Sequence, residues 1–161
     1  MARQPRRHEE KQNVILGEKE NVTLEGKGDM ILVDTSVWVD FFRGAKSPQR
    51  EILRRLIEDE EDIAITEIIL TEILQGIKYD RDFRRIKALL LDFPIFRPRG
   101  IETYLKAAQI YRGCRKKGVT VRKTIDCIIA AICIENNLTL LHHDRDFNLI
   151  SSCTRLKCFK V

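Results

Sequence analysis

Four acidic residues of this chain interrupt apolar runs, where a carboxylate is costly unless something compensates its charge. Asp34 ends Met30-Ile31-Leu32-Val33. Glu72 divides Ile68-Ile69-Leu70-Thr71 from Ile73-Leu74. Asp126 is the only charged residue from Ile125 to Ile134. Asp144 follows the apolar stretch Leu138 to Leu141 after two histidines. None of these runs carries a basic residue of its own. A divalent cation is the simplest shared compensator for four dispersed acids, and Mg²⁺ and Mn²⁺ prefer oxygen ligands. Such an ion, held by carboxylates, suits phosphodiester hydrolysis, because it lowers the pKa of a bound water and polarises the phosphoryl group. On this reading Asp34 and Asp126 are direct or water-mediated ligands. Glu72 and Asp144 then bind a second ion, hold waters or act as base. Mutual repulsion among the four should raise some of their pKa values when no metal is bound.

Each acid also has a plainer reading. Asp34 could be a helix N-cap, Glu72 a solvent-facing helix residue, and Asp126 a first-turn partner of the helix dipole. Asp144 could be a loop acid, with Asp146 its competitor for any role in a site. Thr35 and Ser36 read equally as caps and as contacts to substrate or water. His142 and His143 read more readily as the end of a strand than as acid–base catalysts. Trp38, Phe41 and Phe42 read as core or partner surface rather than as platforms for nucleic-acid bases.

The elements that must position these residues alternate between strand and helix. Met30–Asp34, Ile63–Ile65, Ile95–Phe96, Thr139–Leu141 and Leu156–Val161 read as strands. Ser36 is expected to cap a helix through Phe42 that stops at Gly44, and Pro48 opens a helix to about Glu60. Thr66 caps Glu67 to Gln75. Amphipathic spacing marks Arg81 to Leu91, a long helix runs from Ile101 to Lys117, and Thr124 caps an apolar helix to about Asn136. This alternation predicts an α/β sandwich with a central, mostly parallel sheet flanked by helices. In such sheets, sites form beyond the carboxyl ends of the strands. Asp34 and Asp144 lie there, and Asp126 sits in a first helical turn.

With 161 residues, 43% hydrophobic and 33% charged, the chain suits one globular domain with a real core. No apolar stretch approaches the roughly 20 residues of a membrane span. The five cysteines include no Cys-x-x-Cys pair, which argues against a zinc site and for reduced thiols in a cytoplasm. Residues 1–29 hold six basic and six acidic residues and read as a polar, poorly ordered extension. Met30 is a candidate natural start. The whole net charge of +5 therefore lies in residues 30–161. Between Arg112 and Lys123, six basic residues (Arg112, Arg115, Lys116, Lys117, Arg122, Lys123) occur with no acid, just before Asp126. They read as a grip on a polyanion backbone or as a solvated helix end.

Taken together, four stretches resemble a PIN domain, and within that superfamily the VapC toxins of toxin–antitoxin pairs. They are Ile31-Leu32-Val33-Asp34-Thr35-Ser36-Val37-Trp38, Thr66 through Ile73, Asp126 through Ala131, and Leu140 through Phe147. Their order and spacing carry the resemblance. It departs from the family at His142-His143, where relatives often carry Thr or Asn. The resemblance implies a three-layer PIN-like sandwich and a Mg²⁺- or Mn²⁺-dependent endoribonuclease acting in the cytoplasm. Its four acids fall on Asp34, Glu72, Asp126 and Asp144, with Asp146 beside the last. The hydroxyl after the first acid falls on Thr35. It also implies an RNA substrate, a homodimer, and a VapB-like antitoxin that blocks the acidic pocket; the basic segment is then expected to hold the RNA backbone. A housekeeping PIN nuclease and a catalytically silent RNA- or protein-binding module are the alternatives.

Overall fold

The computed structural model describes residues 29–161. The extension expected over residues 1–29 falls outside them except for Asp29, whose carboxylate meets Lys157 Nζ at 2.9 Å. The strands are β1 (Ile31–Val33), β2 (Ile63–Thr66), β3 (Ile95–Phe96), β4 (Thr139–Leu141) and β5 (Lys157–Cys158). They form one sheet in the order β3-β2-β1-β4-β5, and every neighbouring pair is parallel. The helices are α1 (Thr35–Arg43), α2 (Pro48–Glu58), α3 (Glu67–Gln75), α4 (Asp80–Leu90), α5 (Ile101–Lys116), α6 (Thr124–Glu135) and α7 (Arg145–Cys153).

Burial follows from this arrangement. A parallel sheet is covered on both faces, so its central strands are apolar throughout rather than alternating. Every residue of β1 and β2 is buried. Helix α1 packs on α2 and α3, while α5 packs on α6 and α7. The small residues Ala107 on α5, with Ala130 and Ala131 on α6, are all buried, which lets those two helices lie close together. Trp38 is fully buried against Phe41, Phe42 and Phe93, and so belongs to the core.

The ends of the helices refine what the sequence suggested. Thr66 caps α3 as expected, its hydroxyl accepting from the Ile69 N–H at 3.1 Å. Gly44 ends α1 in the left-handed conformation, φ 67°, where a side chain would be strained. Helix α1 starts two residues earlier than expected, and its cap is Asp34 rather than Ser36. The cap position of α6 is Lys123, with no side-chain cap bond, and Thr124 is already helical. Helix α7 was not anticipated. Its Asn148, Ser151 and Ser152 are poor helix formers, and it is held by the buried side chains of Asp146, Phe147 and Ile150.

The chain moves outward from β1 to β2 and β3, then returns to the other side of β1 for β4 and β5. The strand order therefore reverses between β1 and β4, where α/β sheets form their clefts. The Asp34 N–H bonds the Leu141 carbonyl at 2.9 Å, stitching the two strand ends together at that point.

Candidate active site

Asp34 leaves the end of β1 and Asp144 lies three residues past β4. Burial dominates the state of Asp34, which is 5% exposed. Its Oδ2 accepts from the Ser36 backbone N–H at 3.0 Å and from Ser36 Oγ at 2.6 Å. Burial still raises its pKa above the ordinary value, against those two bonds, and Asp144 adds repulsion. Asp34 therefore fulfils the cap reading, and its carboxylate also lies within electrostatic reach of Asp144.

Ser36 does more than cap. Its Oγ also accepts from the His143 N–H at 2.9 Å, so the loop after β4 is tied to the orientation of Asp34. The His143 ring contacts Asp40 at 2.9 Å, and Ser47 Oγ donates to the same Asp40 oxygen at 2.8 Å. His142 packs its ring on Phe147, and burial lowers its pKa. Both imidazoles are thus engaged in holding the loop.

Asp126 enters from the first turn of α6 and is 4% exposed. Its Oδ2 is buried without a hydrogen-bond partner. Burial pushes its pKa up to about 7; Lys123 opposes the shift, while Asp144, Asp34 and Asp146 reinforce it. Those four neighbours place Asp34, Asp126 and Asp144 in one electrostatic neighbourhood. Glu72 joins through its partner: Thr35 Oγ1, beside Asp34, donates to Glu72 Oε2 at 2.6 Å.

The remaining pair of acids is compensated by the chain itself. Burial works against the Asp144 carboxylate, but the Asp146 N–H and the Lys123 ammonium outweigh it and hold its pKa below the usual value. Lys123 Nζ lies 3.1 Å from Asp144 Oδ2, and the Arg122 guanidinium 3.4 Å from Oδ1. Asp146, with its side chain 1% exposed, is fully committed. Arg122 Nε meets its Oδ1 at 3.0 Å and the Arg122 N–H its Oδ2 at 3.0 Å. The basic segment is therefore divided. Arg122 and Lys123 turn onto the acids, Lys117 Nζ reaches the Cys153 carbonyl at 3.1 Å, and Arg112, Arg115 and Lys116 face solvent. Sequence spacing had no signal for that division, nor for the role of Ser36.

A divalent cation fits this donor set. A buried carboxylate oxygen without a partner, next to a second buried carboxylate, is an acceptor surplus that a hard cation relieves. Among the described residues no three acidic, histidine or cysteine side chains are grouped so as to hold a metal ion between them. The donors thus suit an ion that keeps several waters, as Mg²⁺ does.

Residues 31–151 match the PIN domain family. The chain belongs to that family. It is 38% identical to Ribonuclease VapC11 of Mycobacterium tuberculosis over 129 residues, 80% of this chain and 96% of that protein. The same figures hold for VapC ribonuclease Mb1587 of Mycobacterium bovis, which places this PIN domain with the VapC proteins. The fold matches a chain in the crystal structure of VapBC2 from Rickettsia felis bound to a promoter DNA fragment. There the TM-score is 0.62 at 19% identity, covering 81% of this chain and 97% of that one. Among the described residues, no helix of this PIN domain is long and apolar enough to cross a membrane.

Proposed function

We propose that this PIN domain is an endoribonuclease that cleaves RNA phosphodiester bonds with Mg²⁺ or Mn²⁺, and that it is the toxin of a VapB–VapC-type pair in the cytoplasm. The observation that carries the metal-dependent reading is the buried, unpartnered Oδ2 of Asp126 beside the buried Asp34. The kinship with proteins named as VapC ribonucleases, across nearly their whole length, supports RNA as the substrate and favours a toxin over a housekeeping nuclease.

Asp34 and Asp126 would hold the ion, with Asp144 reaching its waters. When bound, it supplies charge neutralisation on the phosphoryl group and a lowered water pKa. Ser36 aims Asp34, and Thr35 holds Glu72 at the rim, where Glu72 can bind or deprotonate a water. Asp144 rather than Asp146 is our choice of fourth acid: both are met by cations, but the Asp144 side chain is 19% exposed and its cationic partners are over half exposed, whereas Asp146 is 1% exposed. Arg112, Arg115 and Lys116 remain free to grip the RNA backbone. Ile101, Tyr104, Leu105 and Tyr111 leave an apolar face of α5 exposed, which suits protein cover by a second copy or a VapB-like antitoxin.

The test is cleavage of a panel of structured and single-stranded RNAs with Mg²⁺ or Mn²⁺. Asp34→Ala and Asp126→Asn should each lose at least ~100-fold in rate, and EDTA should abolish cutting. Cutting that persists in both variants would refute the assignment. A folded, metal-bound wild type that cuts no RNA in the panel would point to a silent binding module. Neutralising Arg112, Arg115 and Lys116 together should lower the salt-dependence slope of RNA binding by about 2.

A further inference from the structure

Two cysteines outside the acid cluster form a second reactive arrangement. Cys114 lies on α5, fully buried, and Cys153 is the last residue of α7, half-buried. The packing of α5 on α7 sets Cys114 and Cys153 on facing helices, and Gly113, next to Cys114, lines the same groove as Cys153. Lys117, one turn beyond Cys114, fixes the Cys153 backbone there through its 3.1 Å bond to the carbonyl. Cys153 also lines an open groove with Lys106, Ile110, Gly113 and Arg155. One thiol is therefore reachable from solvent, and the other is reached only through the first. The groove is bordered by cations, which attract anionic reagents.

We propose that Cys114 and Cys153 are a thiol–disulfide exchange site for a small anionic disulfide, RSSR, which converts them into an intramolecular disulfide joining α5 to α7. The Cys153 sulfur, having given its proton to solvent, attacks one sulfur of RSSR. The S–S bond breaks, RS⁻ leaves with the bonding pair, and Cys153–S–S–R forms. The Cys114 sulfur, its proton released in turn, attacks the Cys153 sulfur and expels the second RS⁻. Two protein thiols are oxidised and RSSR is reduced to two RSH after protonation. Burial and the contact with Cys153 raise the Cys114 pKa, which keeps it inert toward bulk reagents. Contact with the mixed disulfide offsets this by making the second step intramolecular. The new bond ties α5, which leads through residues 117–123 into Asp126, to α7, which opens at Asp144.

The site is independent of the ribonuclease reading and is tested without RNA. The full chain is incubated with glutathione disulfide and then analysed by intact mass, non-reducing peptide mapping and thermal melting. The expected product is a monomer lighter by two hydrogens, with a peptide linking residues 114 and 153. It should melt at a higher temperature and revert with dithiothreitol. Cys114→Ser should stop at a stable adduct on Cys153, heavier by one glutathionyl group, and Cys153→Ser should give neither product. Circular dichroism checks that each variant is folded, and the wild-type map decides the matter if one is not. The proposal is overturned if wild type yields only the adduct, links Cys114 to Cys127, or cross-links between chains. Formation of the lighter species by Cys153→Ser would overturn it equally.

Discussion

The two walls of the acid cluster solve the same problem in opposite ways. On one wall, Asp34 and Asp126 are buried with raised pKa values, and one Asp126 oxygen has no partner. On the other, Asp144 and Asp146 are met by Lys123 and Arg122. The contrast marks where an external cation would relieve the chain. A wall that supplies its own cations is structural or self-limiting. A wall that buries carboxylates without them is ionised at neutral pH only at a cost, which a bound ion would lower.

Asp126→Asn should break the contrast most completely, abolishing cleavage while stabilising the metal-free protein. Between the ordinary carboxylate pKa and about 7, native Asp126 holds a proton that the unfolded chain has released. The folded state binds more protons there, so stability falls as pH rises through this window and stays low above it. In EDTA, wild type should therefore lose about 2–4 kcal/mol between pH 5 and 8 from this group. Urea melts across pH should show that slope shrinking in Asp126→Asn; an unchanged slope would remove Asp126 from the uncompensated wall.

Arg122→Ala tests the compensated wall. It leaves Asp146, its side chain 1% exposed, with only the backbone N–H at position 122. Loss of about 2–3 kcal/mol in denaturant melts is expected. Ser36→Ala should have a smaller effect, about 1 kcal/mol, since it removes the hydroxyl between Asp34 and the His143 N–H. Its signature is a fall in turnover with RNA affinity retained. The smallest effect belongs to Lys123→Met. The Lys123–Asp144 pair is partly exposed, so freeing Asp144 should tighten Mn²⁺ binding by no more than about fivefold. Calorimetric titration with Mn²⁺ reads this without RNA, and weakened binding would mean that Lys123 supports the ion rather than competing with it.

The parts legible in the sequence were those set by local pattern. Apolar runs gave the strands, and Thr66, Pro48 and Gly44 punctuated the helices. Asp34 and Asp126 stood out because a charge within such a run demands an explanation. What was not legible depends on tertiary partners. Asp144 and Asp146 are two residues apart in one capping turn, and only the fold shows that one side chain is 19% exposed and the other 1%. The six basic residues look alike in sequence, yet two of them neutralise acids in the fold. Helix α7 escaped notice because buried Phe147 and Ile150, rather than helix propensity, hold it.

The bond from the His143 N–H to Ser36 Oγ closes a span of 107 residues. The first acid of the cluster is thus made early in synthesis, whereas the strand that orders it emerges from the ribosome roughly 5–20 s later. A nascent chain that stalls before β4 carries Asp34 and Asp126 but not the junction that aligns them. The order of synthesis thus separates the making of the first acid from its alignment.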